Sequence, residues 1–190
     1  MSKETLPQTL TDGRVRIRRL DLTDVDTIFE AVQASMVPLS AWMPWAHPGY
    51  SRDDAAWFSA TTWLNWQNKT AFEFVVEDAA DGRFLGMCGL NGVSVAERRA
   101  NLGYWVRVGE NGRGVCTAAT RLVARFGFQA LGLVRIRLFH AAGNIGSQRV
   151  AEKAGFVLEG VQRKRLKING VLHDTKLYSL VDISEVIEGA

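Results

Sequence analysis

The segment Gly109-Glu110-Asn111-Gly112-Arg113-Gly114-Val115-Cys116-Thr117 carries the first chemistry this sequence offers. Its glycines let the backbone turn tightly and aim several N–H groups at one point. A helix beginning at Val115 would add the partial positive charge of its N-terminus. Together these make an anion site suited to phosphates. Gly109 and Gly114 have the spacing of a nucleoside-triphosphate loop, but Val115-Cys116 follow where Lys-Ser/Thr is required. The order G-x-x-G-x-G also differs from the G-x-G-x-x-G of dinucleotide folds. Taken alone, the segment is equally a connecting turn. A second constellation is Asn144 and Ser147, at the start of a short helix. An N-cap and an ordinary first-turn residue would account for them too. A third is aromatic: five of the six tryptophans lie between Trp42 and Trp66. Trp42 and Trp45 fall in a proline-punctuated stretch, where indoles can contact a peptide or a cationic amine.

The elements that must position these residues follow from periodicity. Val15, Ile17 and Leu20 alternate with arginines as a first strand. Val25, Ile28, Phe29 and Val32 recur at helical spacing. Residues 36–50 read as irregular. A second helix begins near Ser51, with Asp54 completing a capping box and an apolar stripe of Ala56, Trp57, Ala60, Trp63 and Leu64. Residues 72–78 and 83–91 are strands around a turn at Ala80-Asp81-Gly82, and 99–108 is another. The third helix carries Val115, Ala119, Leu122, Val123 and Phe126. Val134, Ile136 and Leu138 alternate as a strand, and 144–154 is a short helix ended by Gly155. Two last strands flank Asn169-Gly170, a strong hairpin signal. The order β-α-α-β-β-β-α-β-α-β-β predicts an α+β fold, with a mixed sheet covered by helices. The chain, 1–190, reads as one domain, with 1–13 as a loosely ordered N-terminal segment.

Composition excludes several classes. The chain is 47% hydrophobic and 23% charged, enough to build a core and too apolar for disorder. No run approaches the ~18 apolar residues of a membrane span. The first residues lack a signal peptide's apolar stretch. Two cysteines, Cys88 and Cys116, predict no disulfide framework and a reducing cytoplasm. With His47, His140 and His173 widely spaced, no metal is expected. Charge is unevenly placed: residues 1–96 carry 8 Lys/Arg and 12 Asp/Glu, and the remainder carry 15 and 8. Such a split predicts an anion at one end and a neutral or cationic group at the other.

Taken in order, Trp42-Met43-Pro44-Trp45, Gly103-Tyr104-Trp105, Asn111-Gly112-Arg113-Gly114, Asn144-x-x-Ser147, Ala154-Gly155-Phe156-Val157-Leu158-Glu159-Gly160 and Asn169-Gly170-x-x-His173-Asp174 resemble the GNAT superfamily. These are acetyl-CoA-dependent N-acetyltransferases. The resemblance runs from about Val15 to Leu180 and is closest to the RimJ/RimL branch, the ribosomal-protein N-terminal acetyltransferases. It implies the GNAT fold, a mostly antiparallel sheet of about seven strands flanked by about four helices. It implies acetyl-CoA (coenzyme A) as cosubstrate, a cytoplasmic setting and a homodimer as a possible assembly. By the same resemblance, backbone groups near Val106 and Val108 would pair with the pantetheine arm. The amides of Gly112, Arg113, Gly114, Val115, Cys116 and Thr117 would hold the pyrophosphate, and Asn144 would bond the pantetheine. Ser147 would stand near the sulfur. Apart from the resemblance, Trp42, Trp45 and Tyr104 are read from their side chains as lining the acceptor site, with core packing as the other reading for Tyr104. Asn111 and Cys116 depart from the superfamily's Gln/Arg-x-x-Gly-x-Gly/Ala; Cys116 reads first as small-residue packing, and a thiol at a helix N-terminus could also acquire a lowered pKa.

Acetyl transfer from a thioester to an amine needs a proton acceptor for the amine, a polarised carbonyl and a proton for the leaving thiolate. Ser147 is the expected acid and Glu159 the expected base, with a structural pairing of Glu159 to an arginine such as Arg163 as the other reading. Glu73 and Glu97 are secondary candidates. The acceptor is a protein N-terminus or a small amine such as a polyamine, amino acid or antibiotic. A module binding coenzyme A without catalysis, or binding RNA through Arg163-Lys164-Arg165-Leu166-Lys167, is the alternative outside these enzymes.

Overall fold

A computed structural model describes residues 6–182. The chain runs β1 (Thr9–Thr11), β2 (Val15–Arg19), a single 3-10 turn over Leu22–Asp24, then α1 (Val25–Ala34), α2 (Met36–Ser40) and α3 (Arg52–Gln67). It continues with β3 (Phe72–Asp78), β4 (Phe84–Ser94), β5 (Arg99–Val106), α4 (Val115–Leu131), β6 (Arg135–Ala141), α5 (Ile145–Lys153), β7 (Val157–Ile168) and β8 (Val171–Val181). All eleven expected elements are present. Two are additional. Thr9–Thr11 pairs antiparallel with Arg16–Arg18, so the described part of the expected loose N-terminal segment is a sheet edge. Met36–Ser40 forms a helical turn inside the stretch expected to be irregular. Residues 1–5 lie outside the described residues.

Local chemistry explains the boundaries. Ser51 caps α3 in the expected capping box: its Oγ accepts from the Asp54 N–H at 3.2 Å, and its own N–H donates to Asp54 Oδ2 at 2.7 Å. Asn169 and Gly170 have φ of 48° and 82°, the left-handed pair that a two-residue hairpin requires. The buried face of α3, however, is Ala55, Ser59, Thr62 and Trp66. The expected stripe is on the other side, with Trp57 72% and Trp63 48% exposed. Only Trp66 reaches the core, where Phe72, Phe74 and Phe126 pack within 6 Å of it, centroid to centroid. Small residues let the helix lie close to the sheet, and that close packing overrides the apolar count.

One sheet holds all eight strands in the order β1-β2-β3-β4-β5-β6-β8-β7. Every neighbouring pair is antiparallel except β5–β6. One core lies between the sheet and α4, with Phe72, Phe74, Leu102, Val123, Phe126 and Ile136. The other lies under α1, α2 and α3, with Ile28, Val32, Leu39, Val75 and Met87. The parallel pair is short: only Arg99, Ala100 and Asn101 of β5 match Arg135, Ile136 and Arg137 of β6. Beyond Asn101 the two strands separate, which leaves sheet-edge backbone facing a gap.

Candidate active site

The gap between β5 and β6 opens into a cleft of about 660 Å³. Leu102 and Tyr104 of β5, and Leu138, Phe139, His140 and Ala141 of β6, line it on the two sides of the split. Asn144 and Ser147 of α5 close one end. Trp42, Met43, Trp45, His47 and Tyr50 cover it from the loop between α2 and α3. The structure therefore brings Ser147, Asn144, Tyr104, Trp42 and Trp45 together, residues that are up to about a hundred positions apart in sequence. Trp42 lies against the start of α5, its ring 3.8 Å from where a Cβ on Gly143 would stand. Trp45 packs on Tyr50 and Trp105, with centroids 5.9 and 6.1 Å away.

Two features organise the α5 end. Asn144 caps the helix, its Oδ1 accepting from the Ser147 N–H at 3.0 Å, which holds the serine at the cleft wall. Tyr104 donates its hydroxyl to the Ser147 carbonyl at 3.2 Å, tying β5 to α5 across the split. Burial pushes the Tyr104 phenol well above its ordinary pKa, so it remains a neutral hydroxyl. His140 is buried at 6% exposure, with Nδ1 2.8 Å from the Ala141 carbonyl. Its Nε2 has no protein partner among the described residues, and burial lowers its pKa. The ring is thus neutral and offers an unpaired acceptor beside the split strands, as a bound molecule carrying N–H groups requires.

The glycine segment does not line this cleft; it forms a separate cradle at the start of α4. Gly109, Gly112 and Gly114 have φ of 90°, 78° and 80°, and a Cβ on any of them would meet nothing within 4 Å. Their glycine identity serves conformation and leaves the surface open. No side chain caps α4. The amides of Val115, Cys116 and Thr117 therefore begin the helix with no capping group, as a phosphate site needs. Arg14 fixes the loop by donating to the Arg113 carbonyl at 2.8 Å. Buried Glu110 binds Arg83 and lies 3.5 Å from Arg113. One expected contact is already taken, since the Val108 N–H donates to Ser35 Oγ at 2.9 Å. Val106 pairs with Gly86 on β4, and no β6 partner faces it.

Two expectations about reactivity are corrected. Glu159 is not in the cleft. It sits at an irregularity of the β7–β8 ladder, receives both terminal nitrogens of Arg135 at 2.7 and 2.5 Å, and accepts from Ser179 Oγ at 2.7 Å. These bonds hold its carboxyl down at about 2, so it is a structural ion pair, with Arg135 in place of the expected Arg163. Cys116 is not activated by its helix terminus: burial dominates and pushes its thiol up to about 12. Of the secondary candidates, Glu97 pairs with Arg99 on the surface, whereas Glu73 lines the cleft. Sequence periodicity could not rank these carboxylates, because what decides them comes from other strands: Arg135 captures Glu159, and Gly89 stands opposite Glu73. Among the described residues, no group of His, Cys, Asp and Glu could hold a metal ion, and no helix is long and apolar enough to cross a membrane.

A mostly antiparallel sheet split at its one parallel pair, with an open glycine cradle before the next helix, defines a GNAT acetyltransferase. The chain belongs to that family, the acetyltransferase (GNAT) domain, which matches residues 14–157. It is 31% identical over 169 residues to "Putative ribosomal N-acetyltransferase YdaF" of Bacillus subtilis, covering 88% of this chain and 91% of that one. Among solved structures, it superposes on "Probable acetyltransferase" with a TM-score of 0.85 at 29% identity, covering 92% and 97% of the two chains. It shares its fold with RimL, the "Ribosomal L7/L12 alpha-N-protein acetyltransferase in complex with Coenzyme A", at a TM-score of 0.85 and 19% identity over 94% and 98%. The protein is an acetyl-CoA-dependent N-acetyltransferase, and acetyl-CoA is its cosubstrate.

Proposed function

We propose that the chain, acting as one domain in the cytoplasm, transfers the acetyl group of acetyl-CoA to the N-terminal α-amine of a ribosomal protein. The observation that carries this reading is the shape of the cleft. It is lined at the split by both β5 and β6 and covered by Trp42 and Trp45, so a thioester whose phosphates sit at the start of α4 and an amine under the tryptophans can meet at the split. Both reactants then meet in one ternary complex, and direct attack needs no covalent enzyme intermediate. The names of YdaF and of a 25% identical Escherichia coli relative, a ribosomal-protein-serine acetyltransferase, support the acceptor class.

In this reading the amides of Gly112 to Thr117 bind the pyrophosphate, and the free edge near Val106 aligns the pantetheine. Asn144 keeps its amide N–H₂ for the arm, and Ser147 supplies a hydroxyl to the departing sulfur. Exposed Val157, Leu158 and Val161 on the edge strand β7 support a homodimer. The test is an acceptor panel read by thiol release: peptides bearing ribosomal-protein N-termini against polyamines and amino acids. Turnover confined to the peptides supports the proposal; turnover confined to small amines overturns it.

A further inference from the structure

Glu73 has no ionic or hydrogen-bonding partner among the interactions described, yet it sits in the reaction cleft. It lies on β3, opposite Gly89 of β4, and Gly89 lies opposite Gly103 of β5. This row across the sheet has one side chain followed by two positions without any. The carboxylate reclines over the bare backbone: a Cβ on Gly89 would stand 2.2 Å from Glu73 Oε2. The glycines thus make the hollow that the carboxylate occupies. Asn101, one same-face step from Gly103, lines the same hollow; its Nδ2 donates to Asn91 at 3.2 Å and its buried Oδ1 has no partner. A partnerless carboxylate and a partnerless amide oxygen on one floor form a receptor for a group that carries several N–H donors and a positive charge. The walls above, Trp45 and Trp105, are aromatic, and ring faces attract such a cation.

We propose that Glu73 is the general base of the reaction, receiving the acceptor's ammonium and taking its proton before attack. The step balances as follows. Glu73 carboxylate accepts one proton from R–NH₃⁺, leaving R–NH₂. The nitrogen lone pair forms a C–N bond to the thioester carbonyl carbon. The C–S bond then breaks, its electron pair leaving on sulfur. The second nitrogen proton passes to that sulfur, by way of Ser147 in the reading above, and Glu73 returns its proton to solvent. Burial alone pushes the Glu73 carboxyl up to about 7, which matches a base working at neutral pH. The titratable groups that share the cleft are His47 and Tyr50 before α3, Asp54 in its first turn, Tyr104 on β5 and His140 on β6. The Cys88 thiol of β4 feels the Glu73 charge.

This inference rests on the acetyl-transfer reading and names the residue that reading leaves open. The test compares wild type with Glu73→Gln, using acetyl-CoA and an N-terminal peptide from pH 6 to 9. The expected result is a fall in kcat of about 10²-fold or more, with the KM for acetyl-CoA unchanged. The acidic limb of the wild-type profile, rising through pH 7, is absent from the variant. Glu73→Asp, which keeps the charge and draws it back, should recover part of the rate. As an acceptor-independent readout, ¹³C NMR of side-chain-labelled Glu in wild type should show one carboxyl with a midpoint near 7, missing in Glu73→Gln. A variant with wild-type kcat and an unchanged pH profile overturns the proposal, as does a Glu73 midpoint below 5. If wild type acetylates polyamines and no peptide, the protein-acceptor reading falls, and the same loss is expected on the polyamine.

Discussion

Replacing Glu73 with Gln should stabilise the protein, and only above about pH 5. The carboxyl moves from an ordinary 4.5 to about 7 because it is half-buried on the cleft floor, desolvated and without a partner. Between those values the native state holds a proton that the unfolded chain has released, so wild-type stability falls as pH rises through this window. At about 1.4 kcal/mol per tenfold change in the constant, the full loss is about 3 kcal/mol above pH 7. Gln has nearly the same shape and cannot ionise. Its unfolding curve should therefore coincide with wild type at pH 4.5 and lie higher at pH 8, by roughly 6–12 °C in Tm for a chain of this size. Thermal or urea unfolding at four pH values reads this directly. A constant offset, or curves that run parallel, would refute the claim that Glu73 is desolvated and unpaired. A residue built to support the fold would give the opposite sign: its loss would destabilise at every pH.

Other substitutions separate the remaining roles. Ser147→Ala should lower kcat at least tenfold with little change in acetyl-CoA affinity, and steady-state kinetics that find kcat unchanged would remove the hydroxyl from the reaction. Glu159→Gln should leave kcat within about threefold, because the side chain is engaged by Arg135 and Ser179 outside the cleft. Its own stabilisation is present above an ordinary 4.5 and is lost as pH falls toward about 2, so acid unfolding of the Gln variant should depend less on pH below 4. Gly112→Ala places a side chain at φ 78° in open space; it should cost about 1–2 kcal/mol and weaken acetyl-CoA binding measured by calorimetry. Trp66→Ala empties the ring cluster of Phe72, Phe74 and Phe126 and should destabilise by about 3–5 kcal/mol in urea.

Local chemistry was the legible part. Alternation reads the strands from Val15 and Val134, the Ala80-Asp81-Gly82 turn places the strand from Phe72, and the Ser51 capping box and the Asn169-Gly170 turn stand where their residues require. The glycine segment also reads as a tight turn into a helix N-terminus, and the structure adds that it is left-handed and uncapped. What escaped is what depends on which element lies across the way. Trp57 and Trp63 scan as core positions, yet α3 turns its small residues inward because they permit closer approach to the sheet. Glu159 falls in a motif beside the strands that build the site, but its side chain is captured by Arg135, which is 24 residues away in sequence. Glu73 stands among the secondary candidates in the sequence, with nothing there to rank it above Glu159 or Glu97. Its meaning appears only when the register sets it against Gly89 and Gly103. The charge split seen in the sequence has a matching geometry. On the proposed reading, the basic half supplies α4, α5 and the glycine cradle for the phosphates of coenzyme A, and the acidic half supplies Glu73, Asp54 and the tryptophans of the amine side.

The most direct test of the account is to incubate the protein with acetyl-CoA and peptides bearing ribosomal-protein N-termini, following free thiol and peptide mass together. The account predicts one thiol released for each acetyl group gained, with fragmentation placing the group on the α-nitrogen. Acetyl-CoA alone should also raise Tm by mass action. A folded protein that shows neither thiol release with any amine nor a shift in Tm would contradict it.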